Sequence, residues 1–414
     1  MLSVAEALKI VLAQVKPLPA MMTPLEPVTL GMVLAEDVAS DLDMPPFDKA
    51  MMDGFALRTA DLREGQAKLT IVEEVAAGQT PTVAVQQGQA TRIMTGAPMP
   101  SGADAVVMIE RCEVTNDQVR VNDPRIALRS NVLAKGREMR AGEIVLRAGA
   151  RLRPQEFGLL ATVGRTAAQV HPAPRVAILS TGDELVDASV KPGPGQIRNG
   201  NGPMLMAQVC RARGVPRMLG IAKDEPTHLR TLMAEGLQAD ILILSGGVSA
   251  GKFDLVPGAL AELGVQTLFH KVAMKPGKPV LFGVKAGPHP QPLSQEERGD
   301  RLVFALPGNP VASLVCFELF VRPAIRAMMA LPADGNWVRA TMVSDHAFRT
   351  DRPTYHPARL QWTDAGWTVE AAAWFGSPDL RGAQPANAFM LLPEGDHLHR
   401  AGQTMDVLRV EDFN

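Results

Sequence analysis

Residues 239–247 read ADILILSGG. Ile241 to Leu244 have no polar alternation, so a strand here must be covered on both faces, and the Ser-Gly-Gly that follows ends it in a tight turn. The same grammar recurs on either side. RVAILS (175–180) is followed by MLMAQVCRARG, a helix ending at Gly214, and PRMLGIA (216–222) by the helix PTHLRTLMAEGL. ADILIL itself leads to the helix DLVPGALAELG. KPVLFGV and RLVFALPG are two further strands, and PVASLVCFELFVRPAIRAMM (310–329) is a long helix. Apolar strands alternating with helices predict a central parallel or mixed sheet with helices on both faces.

The rest of the chain has other textures. Residues 21–43 and 141–172 show short strands and turns around one helix near Pro154–Val163, and predict a small linking α+β domain. Residues 44–140 between them are turn-rich and predict an inserted β-rich domain. Residues 1–20 with 173–331 form the α/β domain, and 332–414 a C-terminal β domain in which QWTDAGWTV is a hairpin turning at Asp364–Gly366. The fold class is therefore multidomain α/β and β. A proline-rich charged stretch, AGPHPQPLSQEERGD (286–300), predicts a surface loop.

Composition narrows the function. With 414 residues the chain exceeds what one core supports, and two to four domains are expected. Its net charge of −2 gives no basic field for nucleic acid. Cys112, Cys210 and Cys316 are far apart, which suits free thiols in a reducing compartment and not a zinc site. The N-terminus carries a Ser3–Glu6 capping box and apolar residues at helical spacing, not a signal-peptide pattern. No apolar run is long enough to span a bilayer. A cytoplasmic protein without membrane contact is expected.

In open α/β sheets, ligands sit beyond the carboxyl ends of the strands. There this chain places Thr181-Gly182-Asp183-Glu184, then Ser245-Gly246-Gly247-Val248-Ser249-Ala250-Gly251 with Lys252 and Asp254, then Pro307-Gly308-Asn309-Pro310. Glycine-rich backbone at such places offers N–H groups to anions. Plain structural readings stand beside this one: tight-turn glycines, Asp254 and Asn309 as helix caps, and solvated carboxylates at Asp183 and Glu184. The convergence of three loops on one sheet edge favours a shared ligand site.

HKVAMKPGKPV (270–280) adds three lysines. If the stretch is extended, Lys271 and Lys275 face one side, and Pro276-Gly277 turns Lys278 back toward them. That is either a cationic cradle for oxyanions or a guarded edge strand. PPFDKAMMDGFAL (45–57) carries Asp48 and Asp53, and MTGAPMPSGADAVV (94–107) carries Thr95. Neither follows a clean helix or strand period. Carboxylates facing a cationic cradle point to Mg²⁺ bridging to phosphates.

Six stretches, PPFDKAMMDGFAL, MTGAPMPSGADAVV, STGDEL, LSGGVSAGKFD, KVAMKPGKPVLFG and LPGNPVASLVCFELFV, come in the order of the MoeA family, found also as the E domain of gephyrin, and the chain resembles that family over nearly its whole length. The resemblance implies a molybdenum insertase. Adenylylated molybdopterin and molybdate would be its substrates, Mg²⁺ its cofactor, and AMP a product. It implies a four-domain homodimer with a site between the sheet domain of one subunit and elements of the other. Possible partners are a molybdopterin adenylyltransferase and molybdoenzyme apoproteins or their chaperones. The first helix would pack on the sheet domain.

On the matching motifs, the implied catalytic residues are Asp53, Glu184, Asp224, Asp254, Lys271 and Lys275, with Asp224 and Asp254 at the metal. Thr95, Gly246, Gly247, Ser249, Lys278, Pro307, Asn309, Pro310, Arg352 and Ser377 would bind substrate. The chain departs from the common pattern at Lys49-Ala50-Met51, Leu133, Glu138, Pro357 and Asn199-Gly200-Asn201, the last of which lacks a usual carboxylate. Two other readings stand beside this one: a molybdopterin adenylyltransferase-like enzyme or related nucleotide pyrophosphatase, which the sheet domain alone resembles, and a divergent non-catalytic paralogue that binds molybdopterin or nucleotide or acts as a scaffold, which the departures leave open.

Overall fold

The computed structural model describes residues 1–247, 255–287, 299–333 and 335–410. The surface-loop reading of 286–300 falls mostly outside them. The chain forms two compact units, Met1–Met22 with Gln169–Asn414, and Thr23–Ala168.

The first unit is built on a six-stranded sheet. Its strands are β1 (Arg175–Thr181), β2 (Val215–Ala222), β3 (Ile241–Ser245), β4 (Gln266–Phe269), β5 (Leu281–Lys285) and β6 (Arg301–Leu306), in the order β2-β1-β3-β6-β5-β4. The first four in that order are parallel, β5 runs antiparallel to β6, and β4 runs antiparallel to β5. The sheet is therefore mixed. Side chains alternate across it. Ala177 and Leu179 of β1, with Leu242 and Leu244 of β3, pack against Leu229, Met233 and Leu260 from the helices α3 (Pro226–Gly236) and α4 (Val256–Glu262). Val176, Ile178, Ile241 and Ile243, also buried, alternate with these along the strands. The helix α2 (Asn201–Arg211) packs on β1 and β2 and on α5 (Pro310–Cys316). Two-sided burial explains why β1 and β3 read as unbroken apolar runs.

The first helix, α1 (Val4–Ala13), has the expected capping box between Ser3 and Glu6. It packs on α6 (Arg322–Met328) and on the turn preceding α6, burying Ala7 and Val11. The long helix read from 310–329 is continuous but not uniform. Phe317–Val321 adopts a wider π turn between α5 and α6. Pro323 has no N–H to give the α-helical carbonyl four residues earlier, which favours such a turn. Glu318 in this turn is only 2% exposed. It accepts from Gln208 Nε2 at 2.8 Å and pairs with Arg211 and Arg322. A carboxylate this deeply buried requires such partners.

KVAMK is not a regular strand. Its backbone meets neighbours through single bridges, Val272 to Leu2 and Lys275 to Thr354. Burial still alternates: Val272 and Met274 are buried, while Lys271 is exposed and Lys275 partly so.

Residues after 335 form a closed barrel of β7 (Trp337–Met342), β9 (Thr354–Thr363), β10 (Gly366–Ala371), β11 (Ala388–Leu392) and β13 (Thr404–Arg409), with β8 (His346–Thr350) and β12 (Gly395–His399) paired beside it. The β9–β10 hairpin turns at Asp364-Ala365, with Trp362 opposite Trp367.

In the second unit the described strands form a six-stranded sheet in the order 105–108, 54–57, 89–93, 66–75, 118–122, 112–115. Gly54 is fixed by close approach: a Cβ there would lie 1.8 Å from the Val107 carbonyl oxygen. A helix covers Pro154–Thr162.

His356 of β9 is 3% exposed. Burial is the main cause that holds its imidazole down at about 4, with nearby His346 adding to the effect. Its folded value thus lies below the usual one, so its contribution to stability is complete above about pH 6.5 and is lost as pH falls toward 4. From this residue alone, stability should drop by about 2 kcal/mol between pH 7.5 and pH 5. Trp337, Trp362, Trp367 and Trp374 are the chain's four tryptophans and all lie in this domain. Urea unfolding followed by tryptophan fluorescence should show the drop, and identical midpoints at the two pH values would contradict it.

Candidate active site

The parallel strands β1, β3 and β6 are neighbours, so their carboxyl ends emerge side by side. The chain passes from β1 to β2 on one side and next to β3 on the other. Such a reversal opens a crevice at the strand ends. A cleft of about 670 Å³ lies there. Its wall includes Thr181, Gly182, Ser245, Gly246, Gly247 and the loop Pro307-Gly308-Asn309-Pro310. Gly246 and Gly247 have φ values of 98° and 64°. A Cβ on Gly246 would lie 2.6 Å from the Thr181 carbonyl oxygen, and one on Gly247 would lie 2.5 Å from Val256 Cγ2. Larger residues would push the turn off the end of β1.

Two asparagines hold these loops together. Asn201 Nδ2 donates to Ser245 Oγ at 2.9 Å and to the Gly308 carbonyl at 2.7 Å, joining the turns after β3 and β6. Asn199 Oδ1 accepts from Ser180 Oγ at 3.1 Å and from the Gly202 N–H, at the start of α2, at 3.0 Å. The carboxylate missing from Asn199-Gly200-Asn201 is thus replaced by a neutral acceptor. No helix follows TGDE directly. Leu185–Val186 pairs with Ile197–Arg198, and α2 begins only after the turn-forming KPGPG.

Among the predicted residues, Glu184 and Asp224 are on the cleft wall with Gly246, Gly247, Pro307, Asn309 and Pro310. Asp183 Oδ1 accepts from the Asp224 N–H at 3.1 Å, and Lys223 Nζ donates to the carbonyls of Asp183 and Leu185. These bonds clip the β1 and β2 ends together. Ser377 reaches the site through Asn309, whose Nδ2 donates to its Oγ at 2.8 Å, and its carbonyl accepts from Val311 N–H. Lys278 is exposed and precedes wall residue Pro279. Lys271 and Lys275 are not on this wall. Lys275 is bonded to the barrel, and Arg352 pairs with Asp351 at 2.5 Å.

Asp53 and Thr95 come together in the second unit. Thr95 N–H and Oγ1 each donate to Asp53 Oδ1 at 2.7 Å. Its backbone bond first, then the hydroxyl, hold the Asp53 carboxyl below its usual range. Asp48 is tied to Arg129 and to the Lys135 N–H. Asp254 and Ser249 lie outside the described residues.

Among the described residues no group of three or more Asp, Glu, His or Cys side chains could hold a metal. The described wall nevertheless offers carboxylate and amide oxygens without imidazole or thiol. That donor chemistry suits a hard cation such as Mg²⁺. The sequence reading names Ser245 in a strand-end loop and Asn199-Gly200-Asn201 as a departure, without a binding role for them, and misses Arg198, the wall's one cation among the described residues. The asparagines pair with partners distant in the chain, and Arg198 has no motif signal beyond its place in QIRNGN. Asn199→Ala should cost about 1–3 kcal/mol, because it strands the Ser180 hydroxyl and Gly202 N–H in a buried place. Denaturant unfolding would measure this, and an unchanged stability would show that the bonds carry no weight.

Known families and relatives agree with this architecture. The family description "MoeA N-terminal region (domain I and II)" matches residues 2–164, and "Probable molybdopterin binding domain" matches residues 177–327. A molybdopterin molybdenumtransferase of Staphylococcus aureus (strain Mu50) is 33% identical over 417 residues, covering 99% of this chain and 95% of that one. One from Staphylococcus epidermidis (strain ATCC 12228) is 33% identical, covering 92% and 90%. The crystal structure of a molybdopterin biosynthesis MoeA protein from Pyrococcus horikosii superposes with a TM-score of 0.81 at 28% identity, covering all of both chains.

Proposed function

The chain belongs to the MoeA family of molybdopterin molybdenumtransferases, enzymes of molybdenum cofactor biosynthesis, and from that premise we propose that it acts on adenylylated molybdopterin and molybdate with Mg²⁺. The products are AMP and the molybdenum-loaded cofactor. The observation that carries this reading is the cleft at the strand reversal, where Glu184 and Asp224 face glycine- and proline-rich loops. Its volume falls in the range of small-molecule sites.

Each residue then has a physical task. Gly246, Gly247, Pro307, Asn309 and Pro310 form the floor on which the pterin nucleotide lies. Lys271, Lys275 and Lys278 offset the mutual repulsion of phosphate and molybdate, with Arg198 on the wall and Arg352 beyond it. Asp224 would hold Mg²⁺ together with Asp254, and the ion would neutralise charge on the phosphates. Glu184 orients the oxygen that attacks phosphorus. The Thr95 N–H and hydroxyl hold the Asp53 carboxylate in place and below its usual range. Ser377 fixes Asn309 in place. A homodimer is part of the proposal. Sedimentation should give about twice the chain mass of 44.3 kDa, and a monomer at micromolar concentration would count against it.

The decisive experiment incubates purified protein with adenylylated molybdopterin, Mg²⁺ and molybdate, and follows AMP release and reconstitution of a molybdenum-free apoenzyme. Molybdate-dependent release with reconstitution is expected. Lys275→Ala and Glu184→Gln should each lower kcat/KM about 10²-fold, the scale of one electrostatic or acid–base contribution. Full activity in Glu184→Gln would remove that residue's role. Tight nucleotide binding without turnover would overturn the enzymatic reading.

A further inference from the structure

Lys275 is tied by its backbone to the barrel. Its N–H donates to the Pro353 carbonyl at 2.9 Å, and its own carbonyl accepts from the Tyr355 N–H at 2.7 Å. It therefore runs alongside β9 as a one-residue parallel bridge to Thr354. Its side chain ends over the ring of Phe348 on β8, with Nζ 5.7 Å from the ring centroid. An aromatic face attracts a cation at this range. Asp351 is near enough to feel the charge of Lys275, yet its carboxylate is bridged to Arg352, whose hydrogen bond is the main cause that keeps it ionised.

The Phe348 ring is itself held by other rings. His346 stacks on it with centroids 5.7 Å apart and planes 18° apart. His356 meets it edge-on at 5.4 Å, and Trp374 in turn abuts His356 at 5.2 Å. The turn below is pinned by Thr350 and Thr354, whose hydroxyls bond each other and the Arg352 carbonyl. Backbone and side chain of Lys275 are thus both located by the barrel.

A carboxylate partner would locate the ammonium equally well but would cancel its charge. An aromatic face locates it and leaves the net charge intact. We infer that Phe348 is a positioning residue for Lys275, seating the ammonium so that its whole charge is available to an oxyanion of the substrate. The inference rests on the proposed role of Lys275 toward oxyanions.

The test uses the full chain with Phe348→Leu and Phe348→Trp. Phe348→Leu should lower kcat/KM about fivefold, the worth of one partly exposed cation–π contact. The loss should fall on kcat, with KM changed less than twofold, and Phe348→Trp should restore the rate. A readout independent of turnover comes from ¹³C-methylated lysines, with the Lys275 resonance assigned by its loss in Lys275→Arg. Its methyl protons should show an upfield ring-current shift in the wild type and in Phe348→Trp, and none in Phe348→Leu. An unshifted wild-type resonance, or equal kcat for the Leu and Trp variants, overturns the inference. If wild-type protein releases no AMP, the proposed function fails instead, while the resonance still decides whether Phe348 seats the ammonium. Should Phe348→Leu not fold, the wild-type and Trp spectra alone suffice.

Discussion

The parallel register of three strands governs everything at the site. Ser180 of β1 lies opposite Ser245 of β3, and Ser245 opposite Leu306 of β6. The three turns that follow therefore leave the sheet at one level, on one edge. Gly246 and Gly247 let the middle turn fold onto the end of β1, and Asn201 then joins it to the turn after β6. A register slip of one residue would move each apolar strand residue to the other face and break the core before it disturbed the cleft. The geometry of the site is thus protected by the burial of the strands beneath it.

The barrel contributes differently. Its domain lends Pro378 and Leu380 to the cleft wall, and it fixes groups at the edge of the sheet domain through backbone and side-chain bonds. Pro353 and Tyr355 hold Lys275, and Ser377 holds both the amide of Asn309 and the N–H of Val311. These contacts join segments far apart in the chain, and loss of the barrel would leave the lysine segment and the LPGNP loop without their outer supports. The KVAMK segment has no strand ladder of its own, so its single bridges to Leu2 and Thr354 decide its path.

Much of this was legible in the sequence, for physical reasons that can be named. Strands buried on two faces leave unbroken apolar runs, so β1, β3 and β6 were read correctly, and the Ser3–Glu6 cap and the Asp364-Ala365 hairpin are local chemistry. The order of the MoeA motifs gave the family. Long-range pairings were not legible. Asn201 reaches Ser245 and Gly308 across 44 and 107 positions, and no local pattern encodes either bond. The antiparallel edge formed by β4 and β5 follows from chain direction, which apolarity does not record. The π turn had a visible cause in Pro323, thirteen positions after Pro310 at the helix start, but a proline in that position can also kink or end a helix.

The placement of charge sorts the described carboxylates into two groups. Asp48 meets Arg129, the wholly buried Asp240 meets Arg175, and Glu318 meets Arg211 and Arg322. Each of these carboxylates is neutralised within the fold. Glu184 and Asp224 have no such cation within ion-pair distance among the described residues, and neither Lys271, Lys275 nor Lys278 has a carboxylate there. Joining opposite charges inside the protein would cancel part of the field that the proposed anionic substrates and Mg²⁺ would meet. On the proposed function these acids and lysines stay open to a ligand that carries both phosphate and cation, and the strand register and the barrel contacts hold their segments in place.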